Sequence, residues 1–167
     1  MTIQEFNKLP NDKVKELLFQ CCGCTAWAEQ LAQEIPFHSL QELIDKSNNI
    51  WFSCDINSWM EAFTHHPKIG DLKSLEEKFA ATKHLAVEEQ SGVDHSSIEV
   101  LKQLQEYNHI YEKKFGFIFI VCATGKSADE MLSLLQQRLS NDRSDELKIA
   151  LNEQNKITHI RLKKLFA

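Results

Sequence analysis

Phe117-Ile118-Phe119-Ile120-Val121 is the stretch on which the fold class turns. It is continuously apolar and built from residues that favour pleated backbone, so alone it reads as a buried strand. A strand needs a partner for its ladder, and no second segment of comparable quality exists among the 167 residues. Helix signals flank it on both sides. Between Ser96 and Lys114, the residues Ile98, Leu101, Leu104 and Tyr111 recur at helical spacing, with Gly116 near the expected end. Downstream, Ser127 and Glu130 have capping-box spacing at the head of a helix to Leu139, and another spans Ser144 to about Leu165. The stretch near 117–121 is therefore expected to be a buried extended segment inside an all-α fold.

The same signals recur towards the N-terminus. Thr2 with Glu5, Ser39 with Glu42 and Ser74 with Glu77 repeat the capping-box spacing. A helix starting at Asn11 or Asp12 carries Val14, Leu17 and Leu18, and another runs from Cys24 to Glu34, before Pro36. Ser39 to about Ile50 places Leu40, Leu43 and Ile44 on one face. Trp59, Ala62 and Phe63 mark a short helix that ends at His66, because Pro67 disfavours α geometry in the residue before it. After Ser74 a helix carries Leu75, Phe79 and Leu85. No repeat, linker or low-complexity segment interrupts the chain, so residues 1–167 read as a single domain with one core.

Composition narrows the function classes. The chain is 43% hydrophobic and 26% charged, the balance of a globular protein, and its five Gly and three Pro are too few for many short strands. A net charge of −5 argues against nucleic acid as a partner. No apolar run approaches the roughly 18 residues of a membrane span. Neither a secretion signal at Met1-Thr2-Ile3-Gln4-Glu5 nor a peroxisomal tripeptide at the C-terminus is visible, and five cysteines suit a reducing compartment, so a cytoplasmic protein is expected.

Four constellations bear on chemistry. Cys21-Cys22-Gly23-Cys24 invites zinc, but Cys54 and Cys122 are single and distant, so buried helical thiols are the plainer reading and no metal is expected. Gly125-Lys126-Ser127 resembles the end of a phosphate loop, yet Ile120 stands where that loop requires Gly, which leaves a helix start. His65-His66-Pro67-Lys68-Ile69-Gly70-Asp71 joins two imidazoles to turn-forming residues after an amphipathic helix. Adjacent helical residues diverge, so the two His are not expected to share a role. One can serve as acid or base near neutrality, or the pair can cap the helix C-terminus. Glu88-Glu89-Gln90 reads as a solvated charge run, and Arg161, between Ile157 and Leu165, either snorkels to water or pairs with an anion.

Taken together these segments resemble the family of 2-oxo-4-hydroxy-4-carboxy-5-ureidoimidazoline (OHCU) decarboxylases. The matching residues are Cys21-Cys22-Gly23 with Trp27, the His65-to-Asp71 segment, Glu89-Gln90 with Gly92, and Tyr107-Asn108 through Tyr111. They continue through Lys114-Phe115-Gly116-Phe117 to Ala123, Arg138-Leu139 with Asn141, Asn152-Glu153, and Lys156-Ile157 with Arg161-Leu162. The resemblance implies an all-helical bundle, commonly a homodimer, that decarboxylates OHCU to (S)-allantoin in urate catabolism without a cofactor. It assigns catalysis to His66 and Glu89. It places Pro67, Gln90 and the backbone of Phe117, Ile118, Phe119, Ile120 and Val121 around the substrate ring, together with position 86. There the family usually has Ser and this chain has Ala86, which removes one hydroxyl contact.

The chemistry needs no metal, thiamine or pyridoxal, because a conjugated C=N bond beside the carboxylated carbon absorbs the electron pair left by carbon dioxide. His66 is expected to handle the proton of the ring hydroxyl, and Glu89 to orient His66 or the ureido group. Arg161 or Lys68 would hold the departing carboxylate. Two rivals are a metal-dependent hydrolase using His65, His66 and His84, which lack the i, i+4 pairing of a zinc helix, and a helical interaction module without catalysis.

Overall fold

A computed structural model describes residues 1–66 and 94–167, the side chains of 94–97 excepted. The helix expected after Ser74, with Leu75, Phe79 and Leu85, lies outside the described residues, as do Pro67, Lys68, His84, Ala86, Glu89 and Gln90. Among the described residues there are eight helices and no strand, in accord with the all-α expectation. In chain order they are α1 (Ile3–Phe6), α2 (Asn11–Cys22), α3 (Thr25–Ala32), α4 (Leu40–Ser53), α5 (Ile56–Thr64), α6 (Asp94–Phe115), α7 (Ala128–Arg138) and α8 (Arg143–Leu165). None of them is long and apolar enough to cross a membrane.

Local chemistry sets most helix starts. The boxes at α1 and α7 close in both directions. The Thr2 and Ser127 hydroxyls accept from the amides of Glu5 and Glu130, and each Glu carboxylate accepts from its cap's own N–H at 2.7 Å. At α4 only half of the expected box forms. Ser39 Oγ accepts from the Glu42 amide at 3.1 Å, but the Glu42 carboxylate takes the His38 N–H instead, at 2.7 Å. Helix α2 starts at Asn11, one of the two expected positions, with Pro10 at its cap. Helix α4 runs on to Ser53 because Trp51 is buried and its indole N–H donates to the Leu151 carbonyl at 3.0 Å.

The chain divides into two compact units. One comprises Met1–His66 with Lys148–Ala167, and its core contains Phe6, Leu18, Trp27, Leu31, Phe37 and Trp51. At ~25 cal/mol/Å², burying the ~150–250 Å² of one such aromatic contributes roughly 4–6 kcal/mol before entropy is counted. Within this unit α2 packs on α3, and α3 packs on α4 and α5. The Glu61 carboxylate of α5 accepts from the Thr25 amide at 2.9 Å and its hydroxyl at 2.6 Å, placing negative charge at the N-terminus of α3.

The other unit is Pro67–Leu147, in whose described part α6 packs on α7. Leu101, Leu104 and Tyr111 of α6 are buried as expected, whereas Ile98 is 43% exposed and stands outside that apolar row. Residues 117–123 between α6 and α7 are neither helix nor strand, with Phe117, Phe119, Ile120 and Cys122 buried and Ile118 and Val121 half-buried. Gly125-Lys126-Ser127 is a helix start, with Ser127 capping α7 and Lys126 Nζ donating to the Cys122 carbonyl at 2.9 Å.

Candidate active site

Two local features end α2 and α5 close together and thereby place His66. Helix α2 ends at Gly23, whose φ of +75° is a left-handed conformation that costs glycine nothing, and its N–H closes on the Phe19 carbonyl at 2.7 Å. A side chain there would also collide with the far turn, since an added Cβ would lie 2.8 Å from the His65 Cβ. Helix α5 ends in tightened turns, with the His65 amide on the Ala62 carbonyl at 3.2 Å and the His66 amide on that of Phe63 at 3.3 Å. The His65 ring meets Phe19 edge-on, with centroids 5.0 Å apart.

The two imidazoles diverge. His65 packs on α2, whereas the half-buried His66 bonds through Nε2 to Gln154 Oε1 on α8. Gln154 is fully buried, and its amide nitrogen donates to the Cys22 carbonyl at 3.2 Å and to Thr158 Oγ1 at 3.3 Å. One further turn along α8, Arg161 Nη1 donates to the Cys21 carbonyl at 3.2 Å. The last carbonyls of a helix have no intrahelical partner. Those of Cys21 and Cys22 are thus satisfied by α8, and the negative end of the α2 dipole faces an amide and a guanidinium.

Burial pushes the Cys21 thiol up to about 11 and raises Cys22 as well, whereas the hydrogen bond with Cys54 lowers Cys24. The five cysteines are free and buried, as the plainer reading of the cysteine cluster has it. No group of three His, Cys, Asp or Glu among the described residues is placed to hold a metal ion.

In the second unit a buried polar network fixes the segment expected to line the substrate. Arg138 donates from Nε to Glu146 Oε1 at 2.6 Å and from Nη1 to the Ile120 carbonyl at 2.7 Å, and its guanidinium lies 4.5 Å from the centre of the Phe119 ring. Glu146, wholly buried, also accepts from the Tyr111 hydroxyl and, at 3.0 Å, from Asn141 Nδ2. Burial and the bond to Glu146 raise the Tyr111 phenol and keep it protonated as a donor. Lys114 Nζ donates to the carbonyls of Leu139 and, at 2.9 Å, Asn141, beyond the end of α7.

Of the residues expected at the site, His66 and Arg161 are thus described in one unit and Phe117 to Val121 in the other. Pro67, Ala86, Glu89 and Gln90 lie outside the described residues. Gln154, Thr158, Arg138 and Glu146 were not anticipated as partners. The signal available was the row 146, 150, 154, 158, 162 on α8, all buried, in which Glu, Gln and Thr stand where an apolar row would carry hydrophobes.

Comparison with known proteins places this arrangement in a family. A family model described as OHCU decarboxylase matches residues 7–163. The uric acid degradation bifunctional protein of Arabidopsis thaliana is 40% identical over 148 residues, which cover 88% of this chain and 45% of that protein, so the chain spans about half of that relative's length. An OHCU decarboxylase of Haloferax volcanii is 23% identical over 100% of this chain and 97% of its own. A crystal structure of an OHCU decarboxylase in the presence of (S)-allantoin superposes with a TM-score of 0.73 at 38% identity, covering 91% of this chain and 97% of that one. With residues 7–163 matched by that model and 91% of the chain superposing on that structure, the chain belongs to the OHCU decarboxylase family.

Proposed function

We propose that this chain is a carboxy-lyase that converts OHCU to (S)-allantoin in urate catabolism, acting as one domain over residues 1–167. The observation that carries the reading is His66 itself, an imidazole on a turn before proline that is half-buried and tied to a buried amide. Such a group can exchange a proton near neutrality while its ring is held still. His66 takes the proton of the ring hydroxyl as the C–C bond to the carboxylate breaks. The electron pair moves into the conjugated C=N bond, and the enol-like intermediate is protonated at the neighbouring carbon from one face. The substrate supplies its own electron sink, so the reaction needs no cofactor.

Glu89 orients His66 or the ureido group and repels the substrate carboxylate. Pro67, Ala86, Gln90 and the backbone from Phe117 to Val121 surround the ring, and Arg161 or Lys68 holds the carboxylate. A cytoplasmic homodimer completes the proposal, by likeness to the family. The test is to generate OHCU in place by urate oxidation and hydroxyisourate hydrolysis, then follow its absorbance and the handedness of the product. Accelerated loss with excess (S)-allantoin is expected, and decay at the buffer rate to a racemate would reject the activity.

A further inference from the structure

Residues 118–121 have no ladder to set their register. Among the described residues no backbone–backbone hydrogen bond holds them. The Ile120 carbonyl instead accepts from Arg138 Nη1 at 2.7 Å, and that donor is itself fixed. Arg138 ends α7, and its Nε donates at 2.6 Å to Oε1 of Glu146 in the first turn of α8, with Nη2 also on that oxygen. From α6 the Tyr111 hydroxyl donates to the same oxygen. A guanidinium is planar and its N–H groups form a rigid fork, so locking Nε and Nη2 leaves Nη1 a single direction. The guanidinium also lies over Phe119, 4.5 Å from the ring centre, and Phe119 meets Tyr111 edge-on at 5.3 Å. One cation tied to three helices thus holds two neighbouring residues of the segment.

We infer that Arg138 is a positioning residue for substrate: by holding the Ile120 carbonyl it sets where the peptide groups of 118–121 stand against the OHCU ring, and so sets affinity. The inference rests on the proposal above that this segment surrounds the ring. A residue that positions a binding surface acts on ground state and transition state alike, so its loss raises KM and spares kcat. One that only stabilises the core changes neither in a folded variant. The two effects are separable here. Glu146 neutralises the buried cation, whereas the bond to Ile120 comes from Arg138.

The experiment measures urea unfolding, kcat and KM for OHCU, and ¹⁵N–¹H order parameters of residues 118–121 in the whole protein. It compares wild type, Arg138→Met, Arg138→Met with Glu146→Leu, and Glu146→Gln. Both variants lacking Arg138 should raise KM at least about tenfold, the worth of roughly one hydrogen bond to the ring, with kcat within about threefold. Their order parameters should fall from about 0.85 to below about 0.6. Glu146→Gln, which weakens the core but keeps the Ile120 bond, should retain wild-type KM and order parameters. A KM that follows stability across the set, rising in Glu146→Gln and returning in the double variant, would overturn the inference. So would a wild-type KM or wild-type order parameters in a folded variant lacking Arg138. If wild type fails to accelerate OHCU loss, the proposed activity falls, while the order parameters still decide whether Arg138 holds the segment.

Discussion

Replacing Arg138 by Met removes one partner of a buried ion pair while keeping much of its volume. Arg138 is 8% exposed and Glu146 0%, so neither charge is hydrated to any useful extent. The variant loses the bonds to Glu146 Oε1 at 2.6 Å and to the Ile120 carbonyl at 2.7 Å, leaving a carboxylate that, among the described residues, retains Tyr111 and Asn141 as side-chain donors. Breaking such a pair costs about 3–5 kcal/mol, because the surviving charge stays buried without its counter-ion. Met can still fill the space over Phe119, so little of that cost comes from a cavity. Urea unfolding should show a lower midpoint at unchanged m-value, the sign of a loss of stability alone. Replacing both partners, Arg138→Met with Glu146→Leu, should recover at least about 2 kcal/mol, since apolar substitutes for a whole buried pair are often tolerated. A single variant costing less than about 1 kcal/mol, the range of an exposed pair, would refute the reasoning. So would a double variant less stable than the single.

Gly23→Ala should destabilise by about 1–3 kcal/mol, from the left-handed backbone and the 2.8 Å approach to His65 Cβ, and should lower kcat by displacing the turn that carries His66; thermal unfolding and OHCU kinetics measure both. His159, whose Nε2 lies 2.7 Å from Asn48 Oδ1, titrates below its ordinary 6.5 because burial disfavours the charged ring and Lys163 repels it, despite Asp45. The folded state therefore binds that proton less readily than the unfolded chain. Its contribution to stability is intact above about pH 6.5 and is lost as pH falls through the lower folded value. Unfolding followed from pH 8 to 5 should thus decline more steeply below 6.5 in wild type than in His159→Gln.

The parts of the molecule legible in the sequence are those decided by neighbours along the chain. Thr2, Ser39 and Ser127 cap helices because hydroxyl and amide are three residues apart. Likewise, 117–121 is non-helical and largely buried, as its composition implied. What could not be read depends on partners remote in sequence. Gln154 acquires its orientation from Cys22, and Glu146 its hydroxyl donor from Tyr111. Seen along α8 alone, these polar side chains only weaken the apolar pattern. The half-formed box at Ser39 is a smaller case, where the free His38 amide competes successfully for the Glu42 carboxylate.

The direct test of the central claim is the turnover of freshly generated OHCU by His66→Asn, shown by its unfolding curve to be folded. Positioned acid–base groups contribute about 10²–10⁴ in rate, so the variant should lose at least 10²-fold in kcat and yield allantoin without the (S) excess of wild type. Turnover and product handedness equal to wild type would contradict the account, since no other described side chain has been assigned that proton.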